Sequence, residues 1–408
     1  MLDGKILEQY CKLVLSKGVN LQKGQGLEIV CPVEKSEIAV ALAKEGYNMG
    51  ASIVNVRWEN DQIARLLYEN ASMEKLTSVP KWVVENRNYL VKEGFCYVAI
   101  SAEDPSAFSG VDEGRISAYV KARSKALKGY SDTVMNNGIR WCVVSAPTQK
   151  WAEQVFPNSE NPLELLSSAI EKTMRLDGDN TISGWEKHIE NLNRHAQFLN
   201  DKNFEYLIFT NSIGTNLKVG LADGHIWQSA KEMAKDGVEF IANLPTEEVF
   251  TAPHRLKVDG VVRSALPLSF NGSIVDNFTI EFKKGKVVSF SAEKGYQTLK
   301  QLIETDGGTL RLGEVALIGK RSPIFESGIL FYNTLFDENA SCHLALGKAY
   351  PTTLKGGSEL STLELKKRGA NDSIEHVDFM IGTPDLNIVG IDFDGNQTPV
   401  FIDGDWAI

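Results

Sequence analysis

The chain has 408 residues, of which 43% are hydrophobic and 24% are charged, and its formal net charge is -10. This composition is ordinary for a soluble globular protein, and the length predicts two domains. The acidic balance disfavours a nucleic-acid partner, whose phosphates need a basic face. No segment approaches the roughly 18 apolar residues of a membrane span, so no membrane partner is expected.

The first part of the chain alternates helix-like and strand-like segments. Helices are predicted near 2–17, 35–48, 60–71, 80–93 and 112–136, and strands at 27–33, 52–58, 96–104 and 141–148. The opening helix has no cationic start before an unbroken apolar stretch, so it does not predict a secretory signal. The strands are nearly continuous apolar runs, which is typical of strands covered by helices on both faces. The pattern therefore predicts an α/β domain with a largely parallel sheet.

The character of the sequence changes near residue 204. Before that point, two more helices are predicted near 162–175 and 182–201. After it come short strands separated by turn signals. The run FTIEFKKGKVVSFSA alternates lysine with hydrophobic residues and predicts a hairpin. The predicted boundary falls at about 180–203. The expected organisation is an N-terminal α/β domain over 1–190 and a C-terminal, strand-rich α+β domain over 191–408.

Five cysteines are scattered along the chain, and no two have the spacing of a CxxC motif. Several of them lie in apolar, strand-like runs, which favours buried free thiols. Free thiols suit a reducing compartment, so a cytoplasmic location is expected. The cysteines are Cys11, Cys31, Cys96, Cys142 and Cys342.

Two of the six histidines have neighbours that suggest chemistry. The other four, His188, His195, His225 and His254, are expected to be structural or exposed. His343 follows the acidic segment LFDENASC, which contains Glu338, and the stretch after His343 predicts the start of a helix. That segment is equally compatible with a ligand loop and with N-capping of this helix by Asp337 or Asn339.

His376 and Asp378 are separated by one residue, at the start of an apolar, strand-like run. On a strand this spacing places both side chains on one face, where imidazole and carboxylate can converge on a metal ion. Polar groups in such a run are costly unless something pairs with them. The His-x-Asp pattern is short, however, and chance matches are frequent.

Two acidic segments complete the candidate set. The run NLPTEEVFTAPH carries Glu247 and Glu248, and GEVALIG carries Glu314 at the head of a predicted strand. Mixed carboxylate and imidazole ligands suit Zn²⁺, Co²⁺ or Mn²⁺. Two such ions about 3.5–4 Å apart can share a carboxylate and activate a water for hydrolysis. No HExxH motif is present, so the spacing leaves a metal site and ordinary structural roles both open.

At these residues the sequence resembles a known family, the thermophilic-type metalloaminopeptidases, which include aminopeptidases T and S. The resemblance extends over the whole chain and is densest in the runs NLPTEEVFTAPH, GEVALIG, SPIFESGILFYNTLFDENASCHLALGKAY and IEHVDFMIGTPDLNIVGI. It implies a two-domain fold, a homodimer and a centre of two divalent metal ions. The implied metal ligands are Glu248, Glu314, His343, His376 and Asp378, with Glu338 as a further candidate.

The resemblance also implies a mechanism for removing N-terminal residues from peptides that have a free α-amine. Glu314 is the implied bridging carboxylate and the candidate general base, which takes a proton from the metal-activated water. Tyr350 is the implied hydrogen-bond donor to the oxyanion, although a buried helix-end tyrosine is the plainer interpretation of that residue. Glu247 is a candidate for binding the α-amine. The alternatives are another two-metal amidohydrolase, such as a dipeptidase or carboxypeptidase, and a non-catalytic binding protein of the same fold.

Overall fold

The computed structural model describes residues 4–102, 104, 106–176, 180–271 and 273–408, and the chain forms two compact units. The first unit comprises Met1–Ile189, Ala230–Thr246 and Phe331–Leu335. The second unit comprises Glu190–Ser229, Glu247–Leu330 and Phe336–Ile408. Among the described residues no helix is both long enough and apolar enough to cross a membrane.

The helices and strands are numbered in chain order. The helices are α1 (Gly4–Leu13), α2 (Ser36–Asn48), α3 (Asp61–Asn70), α4 (Met73–Leu76), α5 (Lys81–Lys92), α6 (Glu113–Ala126), α7 (Lys128–Met135), α8 (Gln149–Val155), α9 (Pro162–Thr173), α10 (Thr181–Lys202), α11 (Tyr296–Ile303), α12 (Pro323–Ser327), α13 (Thr334–Ala340) and α14 (Thr362–Lys367). The strands are β1 (Gly26–Pro32), β2 (Ile53–Glu59), β3 (Cys96–Ser101), β4 (Trp141–Ser145), β5 (Tyr206–Thr210), β6 (Asn216–Leu221), β7 (Glu232–Met233), β8 (Glu239–Phe240), β9 (Val249–Thr251), β10 (Pro253–Arg263), β11 (Leu268–Phe270), β12 (Ser273–Lys283), β13 (Lys286–Lys294), β14 (Leu312–Leu317), β15 (His343–Gly347), β16 (His376–Met380), β17 (Asn387–Ile391), β18 (Gln397–Ile402) and β19 (Asp405–Trp406).

The first unit contains the predicted parallel sheet. Its four strands are all parallel and lie in the order β2-β1-β3-β4. Every residue of β1 is buried, as its apolar run predicts for a strand covered on both faces. The edge strand β2 is more exposed. The predicted helix over 112–136 is instead two helices, α6 and α7, because Leu127 between them leaves the helical conformation with φ -95° and ψ 7°.

The second unit contains the predicted strand-rich part, and its strands are antiparallel. One sheet has the order β11-β12-β10-β6-β5-β17-β18-β19, with β13 paired to β12. The predicted hairpin is present as β12 and β13, and its turn places Lys284 and Gly285 at positive φ. A Cβ atom at Gly285 would lie 2.0 Å from the carbonyl oxygen of Arg255, so the turn requires glycine there. The mixed α/β and α+β fold class is thus confirmed.

A second antiparallel sheet in this unit has the order β16-β15-β14-β9. Its strand β15 corrects the sequence prediction, which placed the start of a helix at His343. All residues of β15 are buried, and the strand pairs with β14 on one side and with β16 on the other. Its two neighbours in the sheet outweigh the helix propensity of leucine and alanine. The predicted N-capping of such a helix by Asp337 or Asn339 is wrong for the same reason, since both residues lie within α13.

The five cysteines are buried and none forms a disulfide, as the sequence predicts. Burial raises the pKa of the Cys11 thiol to about 12 and that of Cys342 to about 12. Both thiols are therefore protonated and unreactive at neutral pH.

Candidate metal centre

Strand pairing in the β16-β15-β14-β9 sheet collects polar side chains on one face. Glu314 on β14 pairs with Ala345 on β15, which in turn pairs with Asp378 on β16. His343 and His376 lie two residues from these positions on their strands, so their side chains project from the same face. Glu248 immediately precedes β9.

Small residues leave room on that face. The positions of β15 that share the face of His343 are Ala345 and Gly347, and its leucines project to the opposite side. Ala316 lies opposite His343 on β14. This alternation of leucine with small residues was present in the sequence HLALG, where it could have indicated a strand beside a site.

The side chains converge in two groups that share Glu314. His343 Nε2 lies 3.3 Å from Glu248 Oε2 and 3.5 Å from Glu314 Oε1. His376 Nε2 lies 3.4 Å from Asp378 Oδ1 and 3.9 Å from Glu314 Oε2. Each group of three offers ligand atoms that all lie within 4.8 Å of one another, and either could hold a metal ion. The two oxygens of Glu314 therefore face two different histidines.

Hydrogen bonds to backbone carbonyl groups orient both imidazole rings. His343 Nδ1 lies 2.9 Å from the carbonyl oxygen of Glu338, and His376 Nδ1 lies 2.7 Å from that of Lys348. A carbonyl oxygen only accepts hydrogen bonds, so Nδ1 carries the hydrogen and Nε2 is directed at the carboxylates. Histidines that bind metals usually donate their other ring N–H to a carbonyl or carboxylate oxygen in this way.

The chemistry of these groups fits a divalent cation. Glu314 and His343 are 4% and 1% exposed, and a buried concentration of carboxylates is costly without a compensating charge. Asp378 Oδ1 is buried and, among the described residues, makes no well-formed hydrogen bond. A cation with oxygen and nitrogen ligands would satisfy these atoms together.

Protonation provides the compensating charge when no cation is bound. Burial alone would lower the pKa of His376, but Asp378 and Glu314 raise it to about 10. Burial would likewise lower the pKa of His343, and hydrogen bonds with Glu248 and Glu314 raise it well above its usual value instead. Because a metal ion binds Nε2 only after its proton has left, we expect metal binding to release protons.

Glu338 is placed differently from the other five candidate ligands. It is buried on α13 and belongs to neither of the two groups of three found among the described residues. Burial, followed by the charges of Asp378 and Glu248, raises the pKa of its carboxyl well above the usual value. Its clearest contact with the site is through its backbone, whose carbonyl oxygen orients His343.

Tyr350 and Glu247 lie beside the two groups. The Tyr350 ring packs edge-on against the His376 ring at 5.1 Å and against Phe250 at 6.0 Å. The backbone N–H of Glu247 donates a 2.8 Å hydrogen bond to Asn339 Oδ1, and Asn339 is fully buried. Asn339 thereby fixes the backbone next to Glu248, a role that sequence reasoning missed because Asn339 and Glu247 are 92 positions apart.

The other four histidines belong to neither group. His195 stacks on Trp406 with ring centroids 4.2 Å apart, and His188 Nε2 lies 2.8 Å from the carbonyl oxygen of Thr246. These contacts agree with the structural roles expected from the sequence.

Comparison with known proteins gives matches over nearly the whole chain. The sequence profile of a family described as thermophilic metalloprotease (M29) matches residues 4–406. Aminopeptidase 2 of Geobacillus stearothermophilus is 42% identical over 99% of this chain and 98% of its own length. Aminopeptidase AmpS of Bacillus subtilis is 43% identical over 98% of each chain. The solved structure of wild-type AmpT from Thermus thermophilus is 37% identical, covers 99% of each chain and superposes with a TM-score of 0.90.

Proposed function

This chain belongs to the thermophilic metalloprotease (M29) family, and from that premise we propose that it is a metal-dependent aminopeptidase that uses two divalent ions. Its relatives bear the name aminopeptidase, which supports this activity for a chain that matches them from end to end. The proposed ligands are Glu248, Glu314 and His343 for one ion, and Glu314, His376 and Asp378 for the other.

One observation carries the proposal of two ions. Glu314 Oε1 faces His343, and Glu314 Oε2 faces His376. A carboxylate that presents one oxygen to each of two ligand groups is suited to binding two cations at once. Glu338 stays a further candidate ligand, and its carboxylate belongs to neither of the two groups of three found among the described residues.

The proposed roles of the protein groups come from the family resemblance and agree with their positions beside the two ligand groups. When bound, divalent ions supply Lewis acidity, which lowers the pKa of water from 15.7 to about 7 and polarises a carbonyl group. Glu314 is the proposed general base, which accepts the proton of the attacking water and passes it to the leaving amine. Tyr350, beside His376, is the proposed donor to the tetrahedral oxyanion. Glu247 is the proposed partner of the substrate's α-amine.

The proposal also covers the identity of the metal, the oligomeric state, the location and the partners of the protein. Zn²⁺, Co²⁺ and Mn²⁺ all suit a mixed set of carboxylate and imidazole ligands. A homodimer is proposed from the resemblance to the family alone. Action on peptides in a reducing cytoplasm agrees with five free cysteines, and the net charge of -10 argues against a nucleic-acid partner.

The experiment compares free and N-acetylated aminoacyl amides as substrates of the purified full chain, before and after chelation. We expect hydrolysis of the free-amine substrates only, complete loss of activity on chelation, and recovery with Zn²⁺, Co²⁺ or Mn²⁺. Full activity of the metal-stripped protein would overturn metal dependence. Cleavage of the acetylated substrates would favour a different amidohydrolase, and metal binding without any hydrolysis would favour a binding protein. Light scattering tests the dimer, which a monomer mass at micromolar concentration would contradict.

A further inference from the structure

The segment 371–375 leads directly into β16, and its side chains and backbone are held from outside the metal centre. From its contacts we propose that Asp306 is a positioning residue, which fixes this segment and thereby places His376 and Asp378. The inference rests on the proposed function, because the side chains that Asp306 places are those assigned to the second ion.

Asp306 accepts four hydrogen bonds from two different stretches of chain. Its Oδ1 accepts from the N–H of Gly308 at 2.7 Å, from the N–H of Thr309 at 2.9 Å and from Ser373 Oγ at 2.9 Å. Its Oδ2 accepts from the N–H of Ile374 at 2.9 Å. Both carboxylate oxygens therefore accept hydrogen bonds, which the amide of an asparagine, with only one oxygen, could not do.

The segment held in this way has little freedom to move. The Asn371 side chain donates a 2.8 Å hydrogen bond to the carbonyl oxygen of Gly308. A Cβ atom at Gly308 would lie 2.2 Å from the carbonyl oxygen of Asp372, so the two segments are in close contact. On its other side the segment contacts the end of β15. The N–H of Lys348 donates to the carbonyl oxygen of Glu375 at 2.7 Å, and a Cβ atom at Gly347 would lie 2.1 Å from the same oxygen.

His376 is the next residue, and its ring is oriented by Lys348, the residue that follows β15. His376 Nδ1 bonds to the carbonyl oxygen of Lys348, whose own N–H is bonded to Glu375. A displacement of the segment would therefore move the His376 ring relative to Glu314. His343 is held independently of this arrangement, by the carbonyl oxygens of Glu338 and Ser341. A defect at Asp306 should consequently affect one ligand group and spare the other.

The decisive variant is Asp306→Asn. An asparagine whose oxygen takes the Oδ1 position keeps the contacts with Gly308, Thr309 and Ser373, but its NH₂ group then opposes the N–H of Ile374. The matched control is Asp392→Asn in the turn between β17 and β18. Asp392 accepts hydrogen bonds from the N–H groups of Asp394 at 3.0 Å and Asn396 at 2.8 Å, and it belongs to neither ligand group.

The measurement is equilibrium dialysis of the chelated full-length chain against Zn²⁺, with thermal unfolding as a second measurement. For Asp306→Asn we expect one ion to bind as in the wild type and the other about 10–100-fold more weakly, the loss typical of changing a group that orients a metal ligand. The wild-type kcat should return at high Zn²⁺ concentration, which a general loss of folding would not allow. The Asp392→Asn control should bind both ions as the wild type does.

If Asp306→Asn fails to fold, Ser373→Ala supplies the test. It removes only the contact of Ser373 Oγ with Asp306 and a 3.2 Å contact with the N–H of Glu375, and it should weaken the same single ion by a smaller factor. Unchanged affinity for both ions in the folded variant, or equal weakening of both, would overturn the inference. A wild type that binds fewer than two ions would instead overturn the two-ion proposal itself.

Discussion

The two units of this chain use their sheets in opposite ways. In the first unit, acidic residues gather where the parallel strands end and line a cavity of about 310 Å³: Glu34, Glu59, Asp61 and Asp104. The strand order β2-β1-β3-β4 makes the carboxyl end of β1 a topological switch point, where open α/β sheets usually bind ligands. In the second unit the candidate centre lies instead on the face of an antiparallel sheet, where β15 and β16 begin with His343 and His376.

The difference teaches that the chemistry of the side chains is a better guide to the candidate centre than the rule that ligands bind at a topological switch point. Among the described residues that line the first unit's cavity there is no histidine, and Lys35 and Lys150 also line it. In the second unit, strand pairing brings carboxylates and imidazoles onto one face of the sheet, and alanine and glycine leave space between them. Among the described residues, both groups able to hold a metal ion lie in that unit. Function follows from the site and not from the fold that carries it.

The largest effect is expected from Glu314→Gln. Glutamine keeps the shape of the side chain, but it cannot bind two cations as an anion or accept the proton of water. We expect kcat to fall by at least the roughly 10²–10⁴-fold that follows removal of a general base, and metal content to fall as well.

The matched control for this variant is Glu281→Gln on β12. Glu281 is an exposed strand carboxylate that accepts a hydrogen bond from Ser289 Oγ at 2.9 Å. The two variants are compared by kcat and by metal stoichiometry. Wild-type turnover in Glu314→Gln with two ions bound would show that the catalytic carboxylate is a different residue.

The next effect in size is expected from Tyr350→Phe. Phenylalanine keeps the ring contacts with His376 and Phe250 and removes only the hydroxyl group. If that hydroxyl stabilises the oxyanion, kcat should fall about 10²–10³-fold while metal content and Tm stay unchanged. Tyr296→Phe, at an exposed ring stacked on Phe290, is the control and should leave kcat unaltered. Equal kcat values for the two variants would assign Tyr350 a packing role only.

How much of this site the sequence could predict depends on the range of the interactions. The i, i+2 spacing of His376 and Asp378 is a local pattern, and it predicted that both lie on one face of a strand, as the structure shows. The strand β15 was predicted as a helix, because its leucine and alanine favour helix locally. The alternation in HLALG could have indicated a strand, but its pairing partners β14 and β16 lie about 30 residues away on either side, and no local pattern identifies them.

The residues that we propose to position the candidate ligands could not be predicted from the sequence. Asp306 contacts Ser373 across 67 positions, and neither residue belongs to a recognisable motif. The backbone carbonyl of Glu338 is a further example, since its contact with His343 Nδ1 could not be read from the sequence. Hydrogen bonds between distant segments appear only once the strands have set their register.

A smaller effect is expected on stability as a function of pH. Burial alone would raise the pKa of Asp306, but hydrogen bonds from Ile374, Thr309 and Ser373 lower it below its usual value. A carboxyl whose pKa is lower in the folded state stabilises the fold above its unfolded pKa of about 3.9, and this contribution is lost as the pH falls through the folded value. The Tm of Asp306→Asn should thus lie below that of the wild type at neutral pH, and the gap should close on acidification below about pH 4. A gap that stays constant would show that the charge of Asp306 does not contribute.

The smallest effect is expected from Asp61→Asn, which tests the first unit's side of the comparison. Asp61 lines the cavity and lies in the first turn of α3, and burial, together with the nearby Asp104 and Glu34, raises its pKa. Asparagine keeps an oxygen that can accept the 3.3 Å hydrogen bond from the N–H of Asp104, and it removes a charge that its neighbours disfavour. If the cavity takes no part in hydrolysis, kcat/KM should change by less than tenfold, which corresponds to about 1.4 kcal/mol. The metal content should equal that of the wild type. Steady-state kinetics on the same aminoacyl amides decide the question. A large loss of kcat/KM with both ions still bound would mean that the carboxyl edge of the parallel sheet contributes to the reaction. The groups needed for hydrolysis would then lie in both units and not in the second unit alone.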